Sequence, residues 1–230
     1  MIQISNLSKS FVIQDKSFEI LKNLNLTIKK DKITVVLGRS GCGKTTLLRL
    51  ISRLENPTTG EIDIKQGAKI GFVFQEARLM PFLNVYENIV FSLKKHEISE
   101  VKIDKLIDTI GLSEFKFAKP SQLSGGMASR VALARVLAYE ANLILMDEPF
   151  AALDAFTRAN MQAEILKIQA DKTILFVTHN IDEALFLADE IILLENGAIK
   201  ASYDLSNLAK PRDLLEGDLI RLKREILAHI

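Results

Sequence analysis

Apolar residues gather into short unbroken runs at four places along the chain: ITVVL (33–37), LILM (143–146), TILFVT (173–178) and EIILLENG (190–197). Runs this short, without alternation, suit strands of a sheet covered on both faces. Near the N-terminus, IQISNL and FEILKNLNLTI predict two further strands. The middle of the chain switches to helical spacing. VYENIVFSLKK and SEVKIDKLIDTIGL read as helices, the second with Ile98, Val101, Ile107 and Ile110 on one face and Gly111 as its stop. At the end, DLLEGDLIRLKREILAHI puts Leu215, Leu219, Leu222 and Ile226 on one side of a terminal helix packed on the core. The expected organisation is one α/β core formed by residues 1–80 and 139–205, a helical insert over 81–138 and a helical tail over 206–230.

Composition narrows the function classes. A net charge of +1 gives no polybasic surface, so nucleic acid is not an expected partner. No apolar run approaches the roughly 18–20 residues of a membrane span, and MIQISNLSKSF lacks a signal-peptide core. Cys42, the one cysteine, excludes an internal disulfide and a cysteine-cluster metal site. A soluble protein of the cytosol is expected.

Two stretches have the composition of an anion cradle. GRSGCGKT (38–45) follows the strand 33–37 and precedes the apolar run LLRLI. Its glycines let the backbone wrap a phosphate chain, Lys44 reaches the outer phosphates, and Thr45 offers a hydroxyl to Mg²⁺. Cys42 reads as a small filler, with no His partner to make it a nucleophile. The second stretch is QLSGGMASR (122–130), where Ser124, Gly125 and Gly126 sit before another helix-like run. Ser124 also reads as a simple helix N-cap. A third signal is LILMDEP, in which Asp147 and Glu148 emerge at the carboxyl end of a buried strand, where ligands of open α/β sheets bind. Asp147 can hold Mg²⁺ through water and Glu148 can polarise an attacking water.

In the order GRSGCGKT, LSGGM, LILMDEPFAALD, the chain resembles the nucleotide-binding subunits of ABC transporters over nearly its whole length. The resemblance implies a P-loop NTPase (RecA-like) α/β core with an N-terminal antiparallel β region and an inserted helical subdomain. It also implies ATP and Mg²⁺ as ligands. Carried onto this sequence, it assigns nucleotide contacts to Phe11, Gly38, Ser40, Gly41, Cys42, Gly43, Lys44, Thr45 and Thr46, with Phe11 stacking on adenine. Ser124, Gly125, Gly126 and Asp154 complete the nucleotide site. Thr45, Gln75 and Asp147 face the metal, and Glu148, His179 and Gln75 act in hydrolysis. Phe18 is a rival to Phe11. VFQEARLMPFLNVYENI and KPRDLL are similar to the nitrate, sulfonate and taurine import group.

The resemblance answers why one chain carries two cradles. It implies a head-to-tail homodimer in which LSGG of one chain closes over ATP on the P-loop of the other. The pair would power solute import at the cytoplasmic face of the membrane, with permease subunits and, indirectly, a solute-binding protein. Leu79, Met80, Pro81 and Phe82 are candidates for the permease groove, although Leu79 and Leu83 equally suit insert packing. Met127 departs from the family pattern, which has Gln there, and Ser129 stands where a longer polar residue is common. The alternative functions are a soluble ABC ATPase driving assembly or remodelling, and a regulatory nucleotide-binding module without turnover.

Overall fold

The computed structural model describes residues 1–151 and 153–229; Ala152 of the AALD segment and Ile230 at the end of the tail lie outside the described residues. Five parallel strands form the centre: β3 (Ile33–Leu37), β5 (Ile70–Val73), β6 (Leu143–Asp147), β7 (Thr173–Thr178) and β8 (Glu190–Glu195). An antiparallel edge strand, β9 (Ala198–Asp204), completes a sheet of order β5–β6–β7–β3–β8–β9. Its inner strands are mostly apolar and almost wholly buried because both faces are covered. Ile33, Val35, Ile144, Met146, Ile174 and Phe176 enter one core, while Val36, Leu145, Leu175 and Val177 enter the core on the opposite face.

A second sheet, antiparallel, consists of β1 (Ile2–Ile13), β2 (Lys16–Ile28) and β4 (Thr59–Ile64) in the order β2–β1–β4. Between the two sheets lies α1 (Lys44–Ile51), whose Leu47, Leu48, Leu50 and Ile51 join both in one core. The other face of the central sheet is covered by α5 (Ala155–Ile168), α6 (Ile181–Leu187) and α7 (Gly217–His229). Three helices between them in sequence, α2 (Val85–Val90), α3 (Glu100–Thr109) and α4 (Gly125–Ala138), pack on one another through Val85, Ile89, Ile103, Ile107, Val131 and Ala134. Leu133 and Val136 of α4 also reach the central core, so this helix joins the two bodies.

Three sequence expectations need correction. Val101 is 81% exposed, and the buried line of α3 is Ile103, Ile107 and Ile110, spaced four and three. Val101 lies two residues before Ile103 and therefore points the opposite way. Leu215 is 82% exposed and precedes α7, which anchors through Leu219 and Ile226, with Leu222 packed alongside. The helix expected over VYENIVFSLKK stops at Val90. Its start is fixed by a reciprocal capping box between Asn84 and Glu87, but Phe91 just beyond its end is more than half exposed, leaving no buried face to extend.

Candidate active site

In a parallel sheet all carboxyl ends lie on one edge, and β6, β7 and β3 are neighbours. The segments that follow them therefore meet: Gly38–Lys44 after β3, Asp147–Glu148 at the end of β6, and His179 after β7. At Gly38 a Cβ would lie 2.3 Å from the Leu194 carbonyl oxygen, so the loop leaves the sheet where no side chain fits. Gly43 has φ +109°, and a Cβ there would strike Leu21 at 2.5 Å. It is the N-cap of α1 and offers no side chain to the helix, so the first-turn N–H groups keep their donor capacity toward an anion.

Lys44 is buried, with Nζ donating to the carbonyls of Gly38 at 2.8 Å and Arg39 at 3.0 Å. The same ammonium is 3.7 Å from Glu148 Oε1, while Glu148 Oε2 is 2.9 Å from His179 Nδ1. Glu148 takes φ +43°, a left-handed conformation uncommon for a residue with a side chain. Beside it, Thr45 Oγ1 donates to Asp147 Oδ1 at 3.0 Å. Burial pushes the Asp147 carboxyl above its ordinary value, against the opposing effect of that hydrogen bond. A desolvated carboxylate next to a hydroxyl is an oxygen donor set that fits Mg²⁺, which needs one or two carboxylates and takes its remaining ligands from phosphate and water. Gln75 is exposed two residues past Val73, which is level with Met146, and so stands at the same edge of the sheet.

The remaining candidates stand apart from this network. Phe11 and Phe18 are cross-strand partners in the β1–β2 hairpin, so the two rivals form one aromatic pair, with Lys9 Nζ 4.7 Å from the Phe11 ring centroid. Cys42 is buried with its thiol pushed up by burial, which agrees with the filler reading. Ser40 and Gly41 are exposed on the loop and Thr46 is half-buried in the first turn of α1. Ser124 caps α4, accepting from Met127 N at 3.2 Å, and Ser124 N in return faces Met127 Sδ at 3.5 Å. The Met in place of Gln thus keeps a capping box, with a weakly accepting sulfur as its second arm. Ser124 and Gly125 are exposed, and Gly126 lies against Leu153. Asp154 caps α5 by accepting from Phe156 N and Thr157 N, both at 3.0 Å, and hydrogen bonding holds its carboxyl below the usual range.

The family model described as ABC transporter matches residues 21–151, more than half of the chain. The chain belongs to the ABC transporter family. An uncharacterized ABC transporter ATP-binding protein of Methanocaldococcus jannaschii is 42% identical, covering 98% of this chain and 90% of its own length. The aliphatic sulfonates import ATP-binding protein SsuB 1 of Shouchella clausii is 40% identical, covering 100% of this chain and 91% of its own. Among solved structures, the dimeric structure of MJ0796, a bacterial ABC transporter cassette, superposes with a TM-score of 0.80 at 33% identity, covering 89% of this chain and 99% of that one. A post-hydrolysis state of MJ0796 bound to ADP and Pi gives 0.77. The chain is therefore an ATP-binding cassette with the ATP hydrolase chemistry of its family.

Sequence reasoning missed the residues behind the ABC site. Thr178, immediately before His179, donates from Oγ1 to Glu183 Oε2 at 2.6 Å, and Arg158 approaches Glu183 from α5. The signal for part of this was present: Asn180 followed three residues on by Glu183 is a capping-box spacing, and Asn180 does cap α6.

Proposed function

We propose that this chain is the ATP-hydrolysing subunit of a solute importer, working as a head-to-tail homodimer on permease subunits at the cytoplasmic face of a membrane. A solute-binding protein would deliver the cargo. The relatives named for aliphatic sulfonate import support a cargo of the sulfonate class. Among the described residues no helix is long and apolar enough to cross a membrane, in keeping with a translocation path made by other chains.

One observation carries the hydrolytic reading: Glu148 is held between Lys44 and His179 at the end of β6. Glu148 is the base that takes a proton from the attacking water, and His179 orients it and faces the γ-phosphate. Lys44 leaves the carbonyls of Gly38 and Arg39 to neutralise the outer phosphates. Thr45, Asp147 and Gln75 would hold Mg²⁺, which when bound would supply positive charge at those phosphates. Phe11 stacks on adenine. Ser124, Gly125 and Gly126 close over the nucleotide of the neighbouring chain, with Asp154 beside them. In this reading residues 1–80 and 139–205 are the catalytic core, 81–138 the insert that carries the LSGG signature, and 206–230 a tail.

The permease contact is a cleft of about 630 Å³ lined by Phe72, Phe74, Arg78, Met80, Phe91 and Tyr139 among others. Buried Asn88 shapes its rim, accepting from Met80 N at 2.8 Å and donating to the carbonyls of Met80, Leu83 and Asn84. Pro81 and Phe82 are left exposed, while Leu79 packs into the insert. The test is a pull-down from solubilised membranes followed by phosphate release on the recovered complex. Recovery of a permease, with hydrolysis stimulated by sulfonate-loaded binding protein, supports the proposal. Hydrolysis by a chain that recovers no membrane protein would place it with the soluble remodelling ATPases instead.

A further inference from the structure

A largely buried chain of contacts runs from His179 to the Ser124–Gly126 cradle. Thr178 ends β7 directly before His179 and is 2% exposed. Its hydroxyl donates to Glu183 Oε2 at 2.6 Å and accepts from Asn180 N at 3.0 Å, while its carbonyl accepts from Gly38 N of the P-loop at 3.3 Å. Glu183 is itself buried, with its other oxygen, Oε1, 3.7 Å from Arg158 Nε. Arg158 Nη2 donates to the Leu153 carbonyl at 3.0 Å. Leu153 is buried, and its Cδ2 stands 3.1 Å from where a Cβ on Gly126 would sit. One peptide bond and four non-covalent contacts thus connect His179, Thr178, Glu183, Arg158, Leu153 and Gly126.

The weakest joint is the charged one. At 3.7 Å the Arg158–Glu183 contact is too long for a hydrogen bond, and Arg158 Nε is a buried donor with no hydrogen-bond partner among the described residues. A buried carboxylate and a buried N–H that face each other just out of range gain from a shift of under about 1 Å that joins them. Carried by the backbone, such a shift would move α5 and the Leu153–Asp154 segment relative to the end of β7.

We propose that Glu183 and Arg158 are positioning residues that set the spacing between the His179 strand end and Leu153, and so hold a chain's own Ser124–Gly126 cradle in register with the β7 end of that chain. This rests on the reading of that cradle as serving the neighbouring chain's nucleotide. Neither residue is among those assigned to nucleotide; Arg158 stands on α5 and Glu183 on α6. Their effect is mechanical, through a packed route that ends where a side chain at position 126 would crowd Leu153.

The experiment uses full-length mixed dimers. One chain is wild type and the other carries Lys44→Ala, so the one site with an intact P-loop takes its signature from the Lys44→Ala chain. Glu183→Gln is then added to the Lys44→Ala chain alone. Gln still accepts from Thr178 Oγ1 but presents no charge to Arg158, and every group touching nucleotide in the intact site is unchanged. Labelled ATP retained per mixed dimer should fall by about threefold or more. Arg158→Gln in the same chain should give the same fall, and the two together no further fall. Thermal midpoints should stay within a few degrees of the Lys44→Ala parent. If Glu183→Gln unsettles the fold, the more exposed Arg158→Gln carries the test. Retention within about 1.5-fold of the parent overturns the proposal, as does a double-variant loss equal to the product of the singles. Ser124→Arg in the Lys44→Ala chain is the separate check on the cradle. If it leaves retention unchanged, the cradle reading fails; if it abolishes retention while Glu183→Gln does nothing, only the relay fails.

Discussion

Replacing Glu148 by Gln isolates the chemical step from binding. Among the described residues each Glu148 carboxylate oxygen faces one partner: Oε1 is 3.7 Å from Lys44 Nζ and Oε2 is 2.9 Å from His179 Nδ1. An amide of the same shape can keep its oxygen toward Lys44 and turn its NH₂ toward the ring, so the geometry survives. What disappears is the capacity to accept a proton and the negative charge next to a triphosphate. Loss of a positioned general base costs about 10²–10⁴ in rate, which corresponds to roughly 3–5 kcal/mol of barrier. Binding should not weaken, because Lys44 loses a competitor for its charge and the repulsion between carboxylate and phosphate falls. The assay pairs steady-state phosphate release with retained nucleotide on the same preparation. The expected result is turnover lowered by at least about a hundredfold with ATP binding equal to wild type or tighter. Turnover within a few-fold of wild type would show that Glu148 is not the base.

Asp147→Asn should raise the thermal midpoint of the nucleotide-free chain at pH 7, since burial raises this carboxyl and so disfavours its charged form in the folded state. The sign requires the gain to vanish as pH drops below 3.8, its ordinary value, where the carboxyl is protonated folded or unfolded; Mg²⁺-dependent nucleotide retention should be lost at pH 7. Arg212→Met should destabilise, because the buried guanidinium donates to the carbonyls of Leu185, Ala188, Leu205 and Leu208 and ties α6 to the chain after β9. Stranding those carbonyls costs about 3 kcal/mol or more, a fall of roughly 6–12 °C by calorimetry; a shift under about 2 °C would remove this anchor from the account. Met80→Asp with Phe82→Asp should spare ATP hydrolysis by the isolated chain and abolish recovery with membranes, and normal membrane recovery would refute the proposed contact.

The parts of the fold legible in the sequence were those with a local cause. β3, β6, β7 and β8 appear as apolar runs because both faces of the central sheet are covered, and their ends fall within a residue or two of the expected ones. β5 hides because it is four residues long and holds Gly71, where a Cβ would collide with Val136 at 2.3 Å. β4 and β9 hide because they lie at sheet edges and are mostly half-buried or exposed. Leu215 misled because its spacing to Leu219 is helical while the helix starts only at Gly217. In the site, Lys44, Thr45, Asp147, Glu148 and His179 each follow a strand that could be read, and the sheet order then brings them together. Arg158 and Glu183 stand 25 residues apart on different helices, so no short pattern connects them. Ser124 was read both as cap and as cradle, and the structure has its hydroxyl capping α4 while leaving the residue exposed.

The central claim is that each nucleotide site is built from two chains. Lys44→Ala breaks the P-loop and Ser124→Arg fills the signature, so a homodimer of either variant has both of its sites damaged. Mixing the two tests the claim directly. If the signature acts across the interface, a mixed dimer holds one doubly broken site and one intact site, made from the P-loop of the Ser124→Arg chain and the signature of the Lys44→Ala chain. The measurement is labelled ATP retained per isolated mixed dimer. The account predicts about one, against almost none for either parent. Retention no higher than the parents, in mixed dimers shown to form, would contradict it and leave Ser124 as the cap of α4.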